Sequence, residues 1–319
     1  MNKLKKVGLS ALAGSLVATS AFAGEMAVSG SAKLTYTDYQ TGGTTGTPFG
    51  MNKLLGFSGS GEMDNGWNVS VYFGNNGTSQ SSATLSVDMG DMGKFTYDSG
   101  AGGHGIGSID DKTPTAAEEI WDNISYGTGH DGFRVGIGNS GALAYSTTMS
   151  GVTISADYVR QGGGAVEDGG TGSAGSGSGK SLALTYSPQD GVTIGAGTGT
   201  KGNANASNTD KQTAIFATWV VGPATLGVQR SEQDSGGTDK DWSTNQWGAS
   251  FAVNENFSVS YGQREVDAGA ALDEDGSGFA ASYTLGSMSI TANMNKADDL
   301  KGTSGSNKET TEIAVSFAF

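Results

Sequence analysis

From Val28 to Phe319 the apolar residues fall at every second position and rarely gather into a run. Successive side chains of a strand point to opposite faces, so a period of two makes strands with one apolar face and one polar or small face. The closing stretch, TEIAVSFAF, is the clearest case. Ile313, Val315, Phe317 and Phe319 share one parity, and Glu312, Ala314, Ser316 and Ala318 share the other. A strand that ends on Phe319 needs a partner on each edge, and the first strand of the chain is the candidate. The pattern predicts a sheet closed on itself, with its last strand paired to its first.

Val28, Gly30, Ala32, Leu34 and Tyr36 form the apolar parity of that first strand, and Lys33 falls on the polar side. Leu55, Phe57, Gly59, Gly61 and Met63 follow on the second. Asp64-Asn65-Gly66 is a tight hairpin signal before Trp67, Val69, Val71 and Phe73 on the third. Leu85 and Val87, then Phe95 and Tyr97, mark the fourth and fifth. Alternation fails from Ser99 to Gly141. Within that segment Thr113-Pro114 predicts the start of a short helix running to Ile120, and Phe133–Gly138 predicts a short strand. Alternation resumes at Leu143 and passes the Gly/Ser-rich residues 161–179 unchanged, which makes that stretch a loop and not a domain boundary.

Connections alternate in length. Residues 64–66, 91–93, 150–151, 188–191, 222–223, 254–256 and 286–287 are short turns, and 201–210, 233–242, 267–277 and 298–309 are long and polar. Strands of ~10 residues at ~3.3 Å each, tilted ~45°, rise ~23 Å, which matches the ~25 Å apolar band of an outer-membrane barrel. The expected fold class is all-β: a single closed antiparallel transmembrane β-barrel of about 16 strands, or 18 if Ile120–Tyr126 and Phe133–Gly138 join the wall.

Residues 1–23 have a basic start, an apolar middle and an Ala21-Phe22-Ala23 ending, which predicts a secretory signal peptide. The barrel is then residues 24–319. No later apolar segment is long enough for a membrane helix. The chain holds no Cys, which excludes disulfides and thiolate metal sites. Net charge is −14, and removing a leader with Lys3, Lys5 and Lys6 but no acid takes it to about −17. That balance argues against nucleic-acid partners and favours cations in an enclosed path.

The leader, the alternating strands, the long segment after strand five and the terminal Phe319 together resemble the general diffusion porins of Gram-negative outer membranes, most closely the alphaproteobacterial type. The resemblance spans the whole exported chain. It implies a sixteen-stranded barrel in the cell outer membrane, a homotrimer, and an inward-folded third loop that narrows a water-filled pore for small hydrophilic solutes and ions. Residues 99–141 stand where that loop belongs. Basic residues of inward parity are few, which departs from the family's usual cluster of basic wall residues.

On this reading the pore constriction is set by Asp110, Asp111, Glu118, Glu119 and Asp122 on the loop, facing Lys33, Lys94 and Arg264 on the wall. Low-dielectric walls would focus the field of those acids on passing ions. Asp98, Asp157, Glu62 and Glu312 also have inward parity, whereas Arg160 and Arg230 point outward at the rim. Gly30, Ala32, Gly59 and Gly61 are unusually small for a lipid-facing surface, and they suggest the subunit contact. No enzyme is expected. His104 and His130, the two histidines, lack partners at catalytic or metal-ligand spacing. No cofactor is called for. Ca²⁺ on the loop acids is the alternative, but Asp273-Glu274-Asp275-Gly276 lacks the spacing of a calcium loop. The competing function is a non-channel β-rich surface or adhesin protein.

Overall fold

The structure is a computed structural model, and it describes residues 24–43, 45–77, 80–100, 102–124, 141–160, 178–202, 209–236 and 241–319. Sixteen strands among these residues close into one antiparallel barrel, each paired with its neighbours in sequence. They are β1 (Met26–Thr41), β2 (Phe49–Glu62), β3 (Asn68–Asn75), β4 (Gln80–Asp88), β5 (Lys94–Asp98), β6 (Ala142–Met149), β7 (Val152–Arg160) and β8 (Ser178–Gln189). The second half comprises β9 (Val192–Gly202), β10 (Thr209–Val221), β11 (Ala224–Asp234), β12 (Trp242–Ala252), β13 (Phe257–Asp267), β14 (Glu274–Leu285), β15 (Met288–Asp298) and β16 (Lys308–Ala318).

The turns explain the order. Between β6 and β7 only Ser150 (φ 52°) and Gly151 (φ 80°) intervene, both with positive φ, as a two-residue hairpin matching the right-handed strand twist requires. Every even-to-odd junction is short, so all of those turns lie at one end of the barrel. The long connections lie at the other end, and the third of them, residues 99–141, is the longest.

Parity decides the faces as expected. Leu34, Phe57, Phe73, Leu85, Phe95, Leu143, Ile215, Val228, Met294 and Ile313 are all exposed on the outside of the barrel. A soluble protein would not leave so continuous an apolar skin in water. Closure also follows the expectation. β1 and β16 pair from Ser31↔Ala318 to Thr41↔Glu309. The ladder continues to the terminal residue, with Gly30 N–H donating to Phe319 O at 2.6 Å and Phe319 N–H to Gly30 O at 2.9 Å. A Cβ on Gly30 would lie 2.4 Å from the Phe319 ring, so this glycine makes room for the closing aromatic.

Two expectations are corrected. Thr113–Ile120 is not helical; the helical turn comes earlier, as a 3₁₀ segment at Gly105–Ile109. Bonds to the wall and local bonds replace the helical ladder: Lys112 N–H donates to Gln229 Oε1, Ala116 N–H to Ser260 Oγ, and Asp111 Oδ1 accepts from both Thr113 N–H and Oγ1–H. The eighteen-strand alternative also fails. β5 pairs directly with β6, and residues 120–124 are turns closed by Asp122 N–H to Glu119 O and Ile124 N–H to Trp121 O. Phe133–Gly138 and His130 lie outside the described residues.

Candidate pore constriction

The third long connection enters the barrel and follows its inner wall. At its start, Gly105 N–H donates to Ser155 Oγ of β7 and Ile106 N–H to Ser181 Oγ of β8. Ile106 and Ile109 are buried against Ala142, Val159, Ala183, Ala214 and Phe216, all of inward parity on β6, β7, β8 and β10. Gln229 of β11 then donates to the carbonyls of Ile109 and Asp110. Further along, Ser260 of β13 holds Ala116, and Asn295 Nδ2 of β15 donates to the carbonyls of Glu119 and Asp122 at 3.1 Å each. Trp121 is buried with the Arg264 guanidinium 5.3 Å from its ring centroid. Ile124 packs with Ala297 and Leu300. The loop thus lines the inside from β7 round to β1, leaving the bore between itself and the walls of β1–β5.

The far end of the loop meets β1 and β16. Lys33 Nζ stands 2.5 Å from Glu118 Oε1 and 3.5 Å from Glu312 Oε1. Glu312 Oε2 also accepts from Thr37 Oγ1–H and Asn123 Nδ2, both at 3.0 Å. Asp122 shares this corner, and Lys33, Asn52, Glu118, Asp122, Asn123 and Glu312 line a space of about 490 Å³. Burial, then the neighbouring Glu312 and Glu118 carboxylates, push the Asp122 carboxyl up to about 6, against the pull of Lys33. Burial also raises Asp110 and Asp111, and the bonds from Thr113 restrain the rise at Asp111.

The structure separates the residues singled out in the sequence. Asp110, Asp111, Glu118, Glu119 and Asp122 all lie on the inward loop, spread along its path and not clustered at one point. Lys33 faces this loop. Lys94 does not: it is the first residue of β5, beside the 89–93 turn, opposite Asp88 and Ser146. Arg264 points inward but is sealed beneath the loop, its Nη2 2.6 Å from Glu274 Oε1, with both side chains about 1% exposed. Parity gave its side of the wall correctly but not its depth. Arg230 lies outside, on Glu232 and Asn245. His104 meets Asp98 at 3.1 Å.

Sequence reasoning missed the anchors of the loop. Ile106, Ile109, Trp121, Gln229 and Asn295 hold it, and none stood out beforehand. A signal existed in Val159 and Phe216, bulky apolar residues at inward parity where a wet wall calls for polar or small ones.

A sixteen-strand barrel is too wide for its own side chains to fill, and one with a loop folded into its bore is an aqueous channel. The chain belongs to the Gram-negative porin family, whose model matches residues 8–319. No curated protein matches it by sequence. Among solved structures, a porin refined at 1.8 Å is similar, with TM-score 0.68 and 16% identity over 92% of this chain and 100% of that one. An engineered variant of the Rh. blastica porin is similar with TM-score 0.65 and 14% identity, again over 92% and 100%. OmpT, an outer membrane protein of Vibrio cholerae, is similar with TM-score 0.62 and 14% identity over 93% and 98%. At these identities the likeness is one of fold. Family and fold together make this an outer-membrane porin, a water-filled pore for passive diffusion of small hydrophilic solutes and ions, and a channel rather than an enzyme.

Proposed function

We propose that this pore prefers cations, and that the constriction acids Asp110, Glu118, Glu119 and Asp122 create the preference. One observation carries the reading: Lys33, the basic wall residue facing the loop, sits between Glu118 and Glu312 and so adds little free positive charge. Among the described residues of this region, three ammonium groups (Lys33, Lys53 and Lys112) face six carboxylates (Asp110, Asp111, Glu118, Glu119, Asp122 and Glu312). In a narrow bore with low-dielectric walls that imbalance raises the local cation concentration. Asp111 has a second task, since its carboxylate folds the Thr113 turn. No resident cofactor is needed: the loop acids are divided among separate partners, which disfavours a shared Ca²⁺ site.

The active form in this reading is a homotrimer of chains that have lost residues 1–23, embedded in outer-membrane lipid. Ala32, Gly59 and Gly61 on the outside of β1 and β2 form the subunit contact. A Cβ on Gly59 would meet only Val71 Cγ2, at an ordinary 3.4 Å, so its own chain does not demand glycine there. Gly30 serves chain closure instead.

Reversal potential across a planar bilayer in a salt gradient tests the cation preference. The expected sign is that of cation selectivity, weakened by Glu118→Gln with Asp122→Asn. Anion selectivity in the wild-type protein refutes it.

A further inference from the structure

Four glycines form one cross-strand row on the lumen wall. Gly227 of β11 pairs with Gly248 of β12, Gly248 with Gly262 of β13, and Gly262 with Gly278 of β14. Glycine inside a strand is unfavourable and marks places where another backbone comes close. Here the approaching chain is the constriction loop. A Cβ would stand 2.4 Å from Pro114 Cδ at Gly227 and 2.8 Å from Pro114 O at Gly248. At Gly262 it would stand 2.9 Å from the Trp247 carbonyl oxygen of the wall and 3.2 Å from Ile120 Cγ2 of the loop, and at Gly278 2.3 Å from Asn295 Oδ1 of the wall and 2.9 Å from Ile120 Cβ. Pro114 O and Ile120 Cβ cannot swing aside as a flexible side-chain tip can, so the loop must shift to admit a methyl group. The row ends on Asn295, paired with Gly278, which donates to the loop carbonyls of Glu119 and Asp122. A second lumen-facing pair, Gly56 and Gly74, is covered differently: a Cβ on Gly56 would meet Ser29 Oγ at 2.7 Å and the Tyr72 ring at 2.9 Å, both from the wall itself.

We infer that Gly227, Gly248, Gly262 and Gly278 are specificity-determining positions of the pore: they form a furrow that seats the loop, and its depth sets the bore. The size limit is then encoded in the wall as well as in the loop. Adding side chains to the furrow moves the loop toward β1–β5 and narrows the path. This inference rests on the loop being the constriction.

Single-channel conductance, with liposome swelling in sugars of increasing size, tests it. Conductance is expected to fall stepwise from wild type to Gly227→Ala to Gly227→Val, with larger sugars excluded first. Gly248→Ala should act in the same direction. Pro114→Ala removes the atom nearest Gly227 and should restore much of the conductance of Gly227→Ala. Ile215→Ala alters a side chain exposed on the lipid face, away from the bore, and is expected to leave conductance unchanged. Unchanged conductance in folded, heat-modifiable Gly227→Ala and Gly248→Ala overturns the inference. So does an equal loss from Ile215→Ala, or a loss that Pro114→Ala does not relieve. If Gly227→Val does not assemble, the two alanine variants decide alone. A wild-type protein without conductance would instead refute the pore reading itself.

Discussion

Ile106 and Ile109 are fully buried, at 0% and 1% exposure, yet they belong to a loop and not to the barrel wall. They should govern how still the constriction is without governing whether the barrel forms. Truncating a buried Ile to Ala costs about 2–5 kcal/mol, including the cavity left behind. Sixteen paired strands hold the wall independently of this contact, so the loss falls on the equilibrium between docked and undocked loop. With every 1.4 kcal/mol worth tenfold, a loss of about 3 kcal/mol raises the undocked population roughly a hundredfold. The bonds from Gly105 N–H to Ser155 Oγ and from Ile106 N–H to Ser181 Oγ remain, so the displacement is a local opening. In single-channel recordings Ile106→Ala, and more strongly Ile106→Ala with Ile109→Ala, should show open-channel noise with brief excursions to higher conductance. Ile106→Val, which costs only about 0.5–1.5 kcal/mol, should stay close to wild type. Ile215→Ala, on the lipid side, should be silent. A quiet double variant with wild-type mean conductance and normal heat-modifiable migration would show that the apolar cluster does not hold the loop.

Three further outcomes are expected. Asp122 has a carboxyl raised to about 6, so acidification through that value removes a negative charge from the bore; the cation-to-anion permeability ratio should fall between pH 7 and pH 5, and Asp122→Asn should flatten that step. The same raised value means that the docked loop holds this proton more tightly than a free carboxyl does, so docking gains stability as pH falls from about 6 toward the usual carboxylate range, and channel noise should drop, not rise. At the seam, Gly30→Val collides with the Phe319 ring and Phe319→Ala removes it; each should slow closure, seen as a smaller heat-modifiable fraction after refolding into detergent, by about 1 kcal/mol or less for the lost cross-strand pair.

Much of the wall could be read from the chain because a period of two is a local property. Leu34 and Phe57 had to face outward once Lys33 and Ser58 faced inward, whatever the rest did. The pairing of the last strand with the first likewise followed from closure, whereas the register that sets Phe319 opposite Gly30 came only with the structure. The loop was harder. Thr113-Pro114 carries a helix-start signal, but Gln229 and Ser260 offer backbone partners that no local rule registers. Arg264 has inward parity, yet Glu274 and Trp121 take it out of the lumen.

The glycine row shows where local reading stops. Gly227, Gly248, Gly262 and Gly278 lie in four separate strands, and each alone is an ordinary glycine in a Gly-rich chain. They become a row only when register is known, because a shift of one residue in any pairing would send one of them to the outer face. Register here is enforced by the apolar skin: Val228 opposite Trp247, and Tyr261 opposite Phe279, must all face lipid. The greasy outer parity therefore does two things at once. It anchors the barrel in the membrane, and it aligns the inner glycines that leave space for the loop. A substitution that slipped the register of β12 by one residue would expose Gly248 to lipid, point Trp247 into the furrow and drive the loop from its seat, so the outer wall controls the bore without touching it.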